Sequence, residues 1–273
     1  MATLRYVTYR FQRWRRSPKV VLVFLLITIF ITTPSLFLSN ISKSQSKTIT
    51  PWLFPFIMCD RFVLMCVMLS IIFMFSDVPA CDETRDYIVL RIGRKFWILG
   101  EILYIIVTSL LLMTYIWAYS LAINVQNLSF DFAWGDILLS FASPSIYRGI
   151  GIGQLTNIYR DPLEACFLCY GLSIEACIFL GLLVLFLSIK HSKTIGILIG
   201  CCFAILDFVI YYILEDYPSV FFFSPISWVD ISCLTGNIYP TIRYAILSVS
   251  VLIIALIWFC IRLIKSRDEL PVI

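Results

Sequence analysis

Histidine is almost missing from this sequence. The single one, His191, stands in a short polar turn, so a His-dependent general base, a catalytic triad or a His-cluster metal site has almost no material. The phosphate loop G-x-x-x-x-G-K-[ST] does not occur, which excludes ATP binding and hydrolysis by that device. An H-E-x-x-H pair and a G-x-S-x-G elbow are missing as well. Gly149-Ile-Gly-Ile-Gly153 lacks the G-x-G-x-x-G spacing and a preceding strand, so it is not read as a phosphate cradle. Charge is scarce too, at 14% of residues against about 25% in soluble domains. Any energy source for this chain must be ions or another subunit.

What the sequence has is apolar surface. Of its 273 residues 60% are hydrophobic, the mean hydropathy is +0.93, and the apolar runs are separated only by short polar stretches. A helix needs about 20 apolar residues to cross about 30 Å of hydrocarbon, and lipid forces the backbone to satisfy its own hydrogen bonds. The runs Val20 to Leu38, Phe54 to Phe75, Phe96 to Ile123, Leu163 to Ile189, Thr194 to Leu214 and Tyr244 to Ile264 therefore predict six spans. The expected fold is an all-α integral membrane protein, one domain throughout. Residues 1–18 form a surface helix, 20–264 a six-helix bundle and 265–273 a tail.

Orientation follows from counting Lys and Arg. Fifteen of the 21 collect on one side: Arg5, Arg10, Arg13, Arg15, Arg16, Lys19, Arg85, Arg91, Arg94, Lys95, Lys190, Lys193, Arg262, Lys265 and Arg267. Lys43, Lys47, Arg61, Arg148, Arg160 and Arg243 fall on the other. The positive-inside rule then puts both ends in the cytoplasm of a cell membrane. The net charge of +4 has this local cause, and no nucleic-acid partner is implied. Nothing at the N-terminus reads as a cleaved signal peptide, so the first helix is expected in the mature protein.

Several stretches depart from plain spans. Asp60 and Arg61 interrupt the second run after Pro51 and Pro55, which predicts a short or broken helix there. The semi-polar loop from Asn124 to Pro162 is expected to fold onto the membrane surface. Phe221-Phe222-Phe223-Ser224-Pro225 with Trp228 is too short to span and too apolar for a free loop, so an extracytoplasmic re-entrant hairpin is expected before the last helix. Leu4 to Trp14 alternates apolar residues with arginines, as a helix lying in the membrane surface would, its arginines toward anionic headgroups. The ten cysteines, including the Cys166/Cys169 pair, read as small buried hydrophobes. Asn40-Ile-Ser42 and Asn127-Leu-Ser129 match the glycosylation triplet and carry no weight alone.

Two carboxylates lie inside apolar runs, Glu175 and Asp207. At membrane depth each costs about 2.5–3.5 kcal/mol on insertion scales and must face protein or water. They serve either ion coupling or an interhelical hydrogen bond, with Tyr211 or Ser173 as partner. From Ser76 to Trp97 the chain turns at Pro79 and enters a polar helix start at Cys81-Asp-Glu-Thr-Arg85-Asp-Tyr87. It then runs basic, with Val89, Leu90 and Ile92 on an apolar face. Such a short amphipathic helix either caps the bundle or plugs into a soluble partner.

The pattern F-S-D-x-P followed by R-x-G-R-x-x-W-x-x-G, here Phe75, Ser76, Asp77, Pro79, Arg91, Gly93, Arg94, Trp97 and Gly100, resembles the membrane subunits of type-2 ATP-binding-cassette exporters. Pro51-Trp52 and Phe223-Ser224-Pro225-Ile-Ser227-Trp228 are similar to short permeases of this group from Gram-positive bacteria. The resemblance implies a pair of membrane subunits, identical or homologous, joined to two cytoplasmic ATPase subunits that hold the ATP and Mg. The chain itself would be no enzyme and hold no cofactor. It also implies a coupling helix around Asp82 to Arg94, with Asp77, Asp82, Glu83, Arg85, Tyr87, Arg91 and Arg94 as contact residues. The expected activity is outward movement of a hydrophobic or amphipathic substrate or peptide. An ion-coupled transporter using Glu175 and Asp207, and a non-transporting scaffold or immunity protein, are the alternatives.

Overall fold

The computed structural model describes residues 2–80, 85–140, 155–156, 158–214, 217–236 and 238–268. The glycine cluster at Gly149 to Gly153 and the residues Cys81, Asp82 and Glu83 lie outside them. Five described helices are long and apolar enough to cross a membrane. They are α2 (Pro18–Gln45), α6 (Arg94–Ile123), α8 (Pro162–Lys190), α9 (Lys193–Ile213) and α10 (Ile242–Asp268). At about 1.5 Å per residue even the 21-residue α9 reaches about 30 Å. Together they mark a multi-pass membrane protein.

The second expected span is two helices, α3 (Phe54–Cys59) and α4 (Arg61–Phe75). The break falls at Asp60, whose extended backbone stops α3 and whose carboxylate accepts from Phe62 N at 3.0 Å and Val63 N at 3.1 Å to cap α4. An aspartate is a strong N-cap because it takes up backbone donors that a helix start leaves unpaired. All six residues of α3 are buried, so it tucks inside the protein.

Helices α6 and α8 form the centre, with 61% and 56% of their most apolar windows buried, against 22–28% for α2, α9 and α10. The outer three turn apolar side chains outward, among them Val21, Leu25 and Ile29 on α2 and Leu247, Val251 and Ile254 on α10. Water would not favour such faces; hydrocarbon does.

Polar side chains also tie the bundle. Thr28 and Thr32 on α2 pair with Tyr115 and Tyr119 on α6 at 2.6 and 2.9 Å, matched i, i+4 spacings that bring two facing turns into register. Gly196 and Gly200 let α9 lie close on α8, since a Cβ at Gly196 would stand 2.6 Å from Ser188 Oγ and 2.9 Å from the Val184 carbonyl. Small residues at such a crossing permit close backbone approach.

At one end, the described part of the long loop, with the short helix α7 (Gly135–Ser140), folds over the bundle. Trp134 is buried, donates to Tyr159 O at 2.8 Å and packs edge-on to Phe56, while Thr50 Oγ1 donates to Trp134 O at 2.9 Å. At the opposite end lie α1 (Ala2–Gln12), a 3-10 turn Arg13–Arg16, and α5 (Arg85–Ile92). The nine described cysteines are free thiols, and no cluster of potential metal ligands occurs among the described residues.

Candidate functional site

The basic end holds α5. Its Ile88, Val89 and Ile92 are half-buried against the core, whereas Leu90 is 86% exposed. Leu90 therefore leaves the apolar face on which the sequence pattern places it and stands beside exposed Arg91 and Arg94. Gly93, at φ +83°, makes the turn from α5 into α6, a left-handed conformation that costs glycine little. Of the expected contact residues, Arg85 and Tyr87 lie on α5, Asp82 and Glu83 lie outside the described residues, and Asp77 is exposed and bound to Lys19 Nζ at 2.9 Å. Lys19 also donates to Met74 O at 3.1 Å, so Asp77 joins the base of α2 to the end of α4.

Beside α5, Glu101 organises the docking of α1. Fully buried, it accepts from Tyr6 OH at 2.5 Å and from Ala80 N at 3.0 Å, and it faces Arg10 at 3.5 Å. The Arg10 guanidinium also lies 4.4 Å from the Tyr104 ring, and Trp14 donates to Tyr104 OH at 3.0 Å. Gly100 leaves the room for Tyr6, whose ring would collide with any added Cβ. Burial first, then the Glu101 carboxylate, pushes the Tyr6 phenol well above its ordinary pKa. The expectation that α1 turns its arginines toward headgroups is corrected at Arg10: it is 6% exposed and faces protein, because Glu101 and Tyr104 receive it. Arg5, Arg13, Arg15 and Arg16 do face outward.

Deeper in the bundle, Asp207 meets a partner that sequence reasoning had not given it. Arg61 contacts Asp207 Oδ1 through Nη1 and Asp230 Oδ2 through Nη2, both at 2.6 Å, and all three residues are buried. Its guanidinium stands 4.9 Å from the Tyr211 ring and donates from Nη2 to Cys233 Sγ at 3.1 Å. Asp230 accepts from Ser232 N and Oγ. One buried cation thus holds α4, α9 and the segment 227–233 together. Tyr211 stacks on this cation, and Ser173 turns back to Cys169 O. Because Arg61 and Arg10 are both buried, each drops from the orientation count, leaving fourteen bases against five. The interruption of an apolar run by Arg61 was the available signal; its partners, 146 and 169 positions away, carried none.

Glu175 is half-buried on α8 and accepts from Ser250 Oγ on α10 at 3.5 Å. It makes no hydrogen bond or ion pair with Arg61, Asp207 or Asp230, so the two intramembrane carboxylates do not share a partner. Trp228 donates to Phe221 O at 2.7 Å and packs on Tyr244, which closes the aromatic segment 218–233 on itself. The basic end, with α5 as its projecting element, and the Arg61 cluster are the two sites this geometry offers. No protein family, curated protein or solved structure matches this chain.

Proposed function

We propose that this chain is the membrane subunit of an exporter of the type-2 ATP-binding-cassette kind, working with a separate cytoplasmic ATPase. The observation that carries the reading is α5. It is a short helix between the second and third apolar segments, anchored by Ile88, Val89 and Ile92 and presenting Leu90 and Arg91 outward, with exposed Arg94 following at the start of α6. An anchored helix with an exposed apolar tip and flanking charge suits insertion into a partner's groove. In this reading α3 and α4 together make a sixth crossing, segment 218–233 is a re-entrant hairpin on the outer side, and the end bearing α1 and α5 is cytoplasmic. The fourteen-to-five distribution of the remaining bases supports that orientation. A second copy or a homologous chain would complete the path, and the substrate would be a hydrophobic or amphipathic molecule moved outward.

Pairing of Asp207 with Arg61 speaks against the ion-coupled alternative, since a carboxylate bound to a permanent cation is a poor site for a travelling ion. The test is co-purification with flux. A tagged chain expressed with its neighbouring genes brings down an ATPase, and proteoliposomes export only with ATP. Isolation of the chain always alone, or flux driven by an ion gradient without ATP and lost in Glu175→Gln, refutes the reading.

A further inference from the structure

Between α1, the 3-10 turn, the base of α2 and the start of α9 opens a cavity of about 900 Å³. Its described lining includes Arg10, Arg13, Arg16 and Lys193 and one acid, Asp77, while behind the wall Glu101 faces Arg10 Nη2 at 3.5 Å. Asp77 is already held by Lys19 at 2.9 Å, so it does not neutralise the opening. Arg10 is 6% exposed, and its Nε is buried without a hydrogen-bond partner. A buried guanidinium donor left unpaired is costly, and an oxyanion is the partner its geometry suits.

The surroundings narrow the ligand class. Trp14 lines the same cavity, and the outward apolar face of α2 begins at Val21 and continues through Leu25 and Ile29, directly after the cavity's last α2 residue, Val20. An anion that entered alone would use only the basic wall. An amphiphile would use both surfaces, with its phosphate among the bases and its acyl chains along α2. Basic pockets between helices at the inner membrane face bind lipid headgroups by this combination.

We propose that this cavity is a binding site for an anionic phospholipid headgroup. It requires neither an ATPase nor transport, so it stands independently of the exporter reading. The full-length protein is purified and incubated with mixed micelles containing phosphatidylglycerol or phosphatidylcholine, and retained lipid is counted by native mass spectrometry. The variant Arg16→Gln/Lys193→Gln alters two side chains that line the cavity. Arg5→Gln/Arg15→Gln removes the same charge from exposed positions outside it. The wild type retains phosphatidylglycerol in preference to phosphatidylcholine, the cavity variant loses about 30-fold in affinity for it, and the control variant keeps the wild-type value. Equal loss in both variants, or no loss in the cavity variant, overturns the site. Displacement of the lipid by millimolar inorganic phosphate alone overturns the assignment to a lipid in favour of a free phosphate.

Discussion

Replacing Arg61 by leucine should be among the most damaging single changes in this protein. The guanidinium touches Asp207 and Asp230 at 2.6 Å each, and neither carboxylate is open to water. Removing one member of a buried ion cluster costs about 3–5 kcal/mol, because the remaining charges are left desolvated and unpaired. Spread over a chain of this size, that is a fall of about 10 °C in the unfolding midpoint, measurable by intrinsic fluorescence in detergent. Adding Asp207→Asn to Arg61→Leu removes one stranded charge and should recover at least a third of the loss. If Arg61→Leu proves too unstable to purify, Asp207→Asn alone gives the companion readout. Arg61 then loses one of its anchors, and Cys233, which accepts from Arg61 Nη2 at 3.1 Å, should label faster with a maleimide, as followed by peptide mass spectrometry. An Arg61→Leu protein within about 1 °C of the parent, with no recovery on adding Asp207→Asn, would refute the reasoning.

Other predictions bear on different contacts. Glu101→Ala removes the acceptor shared by Tyr6 and Ala80 and should expose α1 to limited proteolysis near Arg10 while leaving α8 and α9 protected. The raised Tyr6 pKa, set by burial and Glu101, means the folded protein keeps a proton that the unfolded chain loses above about pH 10. Its contribution is therefore complete below that pH and lost as pH rises through the folded value. Trp14 fluorescence should report α1 loosening in alkali, less so in Tyr6→Phe. Gly196→Val drives a side chain into Ser188 and the Val184 carbonyl and should cost about 1–3 kcal/mol, read as a lowered unfolding midpoint. Leu90→Asp should leave that midpoint unchanged, since the side chain is solvent-facing, and should abolish ATPase association.

Much of this architecture was legible because hydrocarbon imposes simple demands. Five long helices begin near the starts of their apolar runs, and all but α2, which continues past Leu38 to Gln45, end near their limits; the break at Asp60 was announced by Asp60 and Arg61 within such a run. The short helix before α6 could be read from its apolar residues interleaved with Arg85 and Arg91. What could not be read was pairing at a distance. Arg61 looked like a charge at a helix end, and only folding brings it to Asp207 and Asp230. Glu101 escaped notice because it sits about two turns inside α6, where a lone acid near the polar end of an apolar run draws no attention; its value lies in Tyr6 and Arg10, some 90 residues earlier. The apolar stripe on α5 was misread at one of its three members, since Ile88 packs against the core with Val89 and Ile92 whereas Leu90 is exposed.

The most direct test of the account lies at Leu90. A photo-crosslinking amino acid installed there in cells expressing the chain with its neighbouring genes should form one major adduct. Mass spectrometry should identify that adduct as an ATPase carrying the G-x-x-x-x-G-K-[ST] loop this chain lacks. Adducts only to lipid or to the chain itself, in cells where the ATPase is present, would contradict the account.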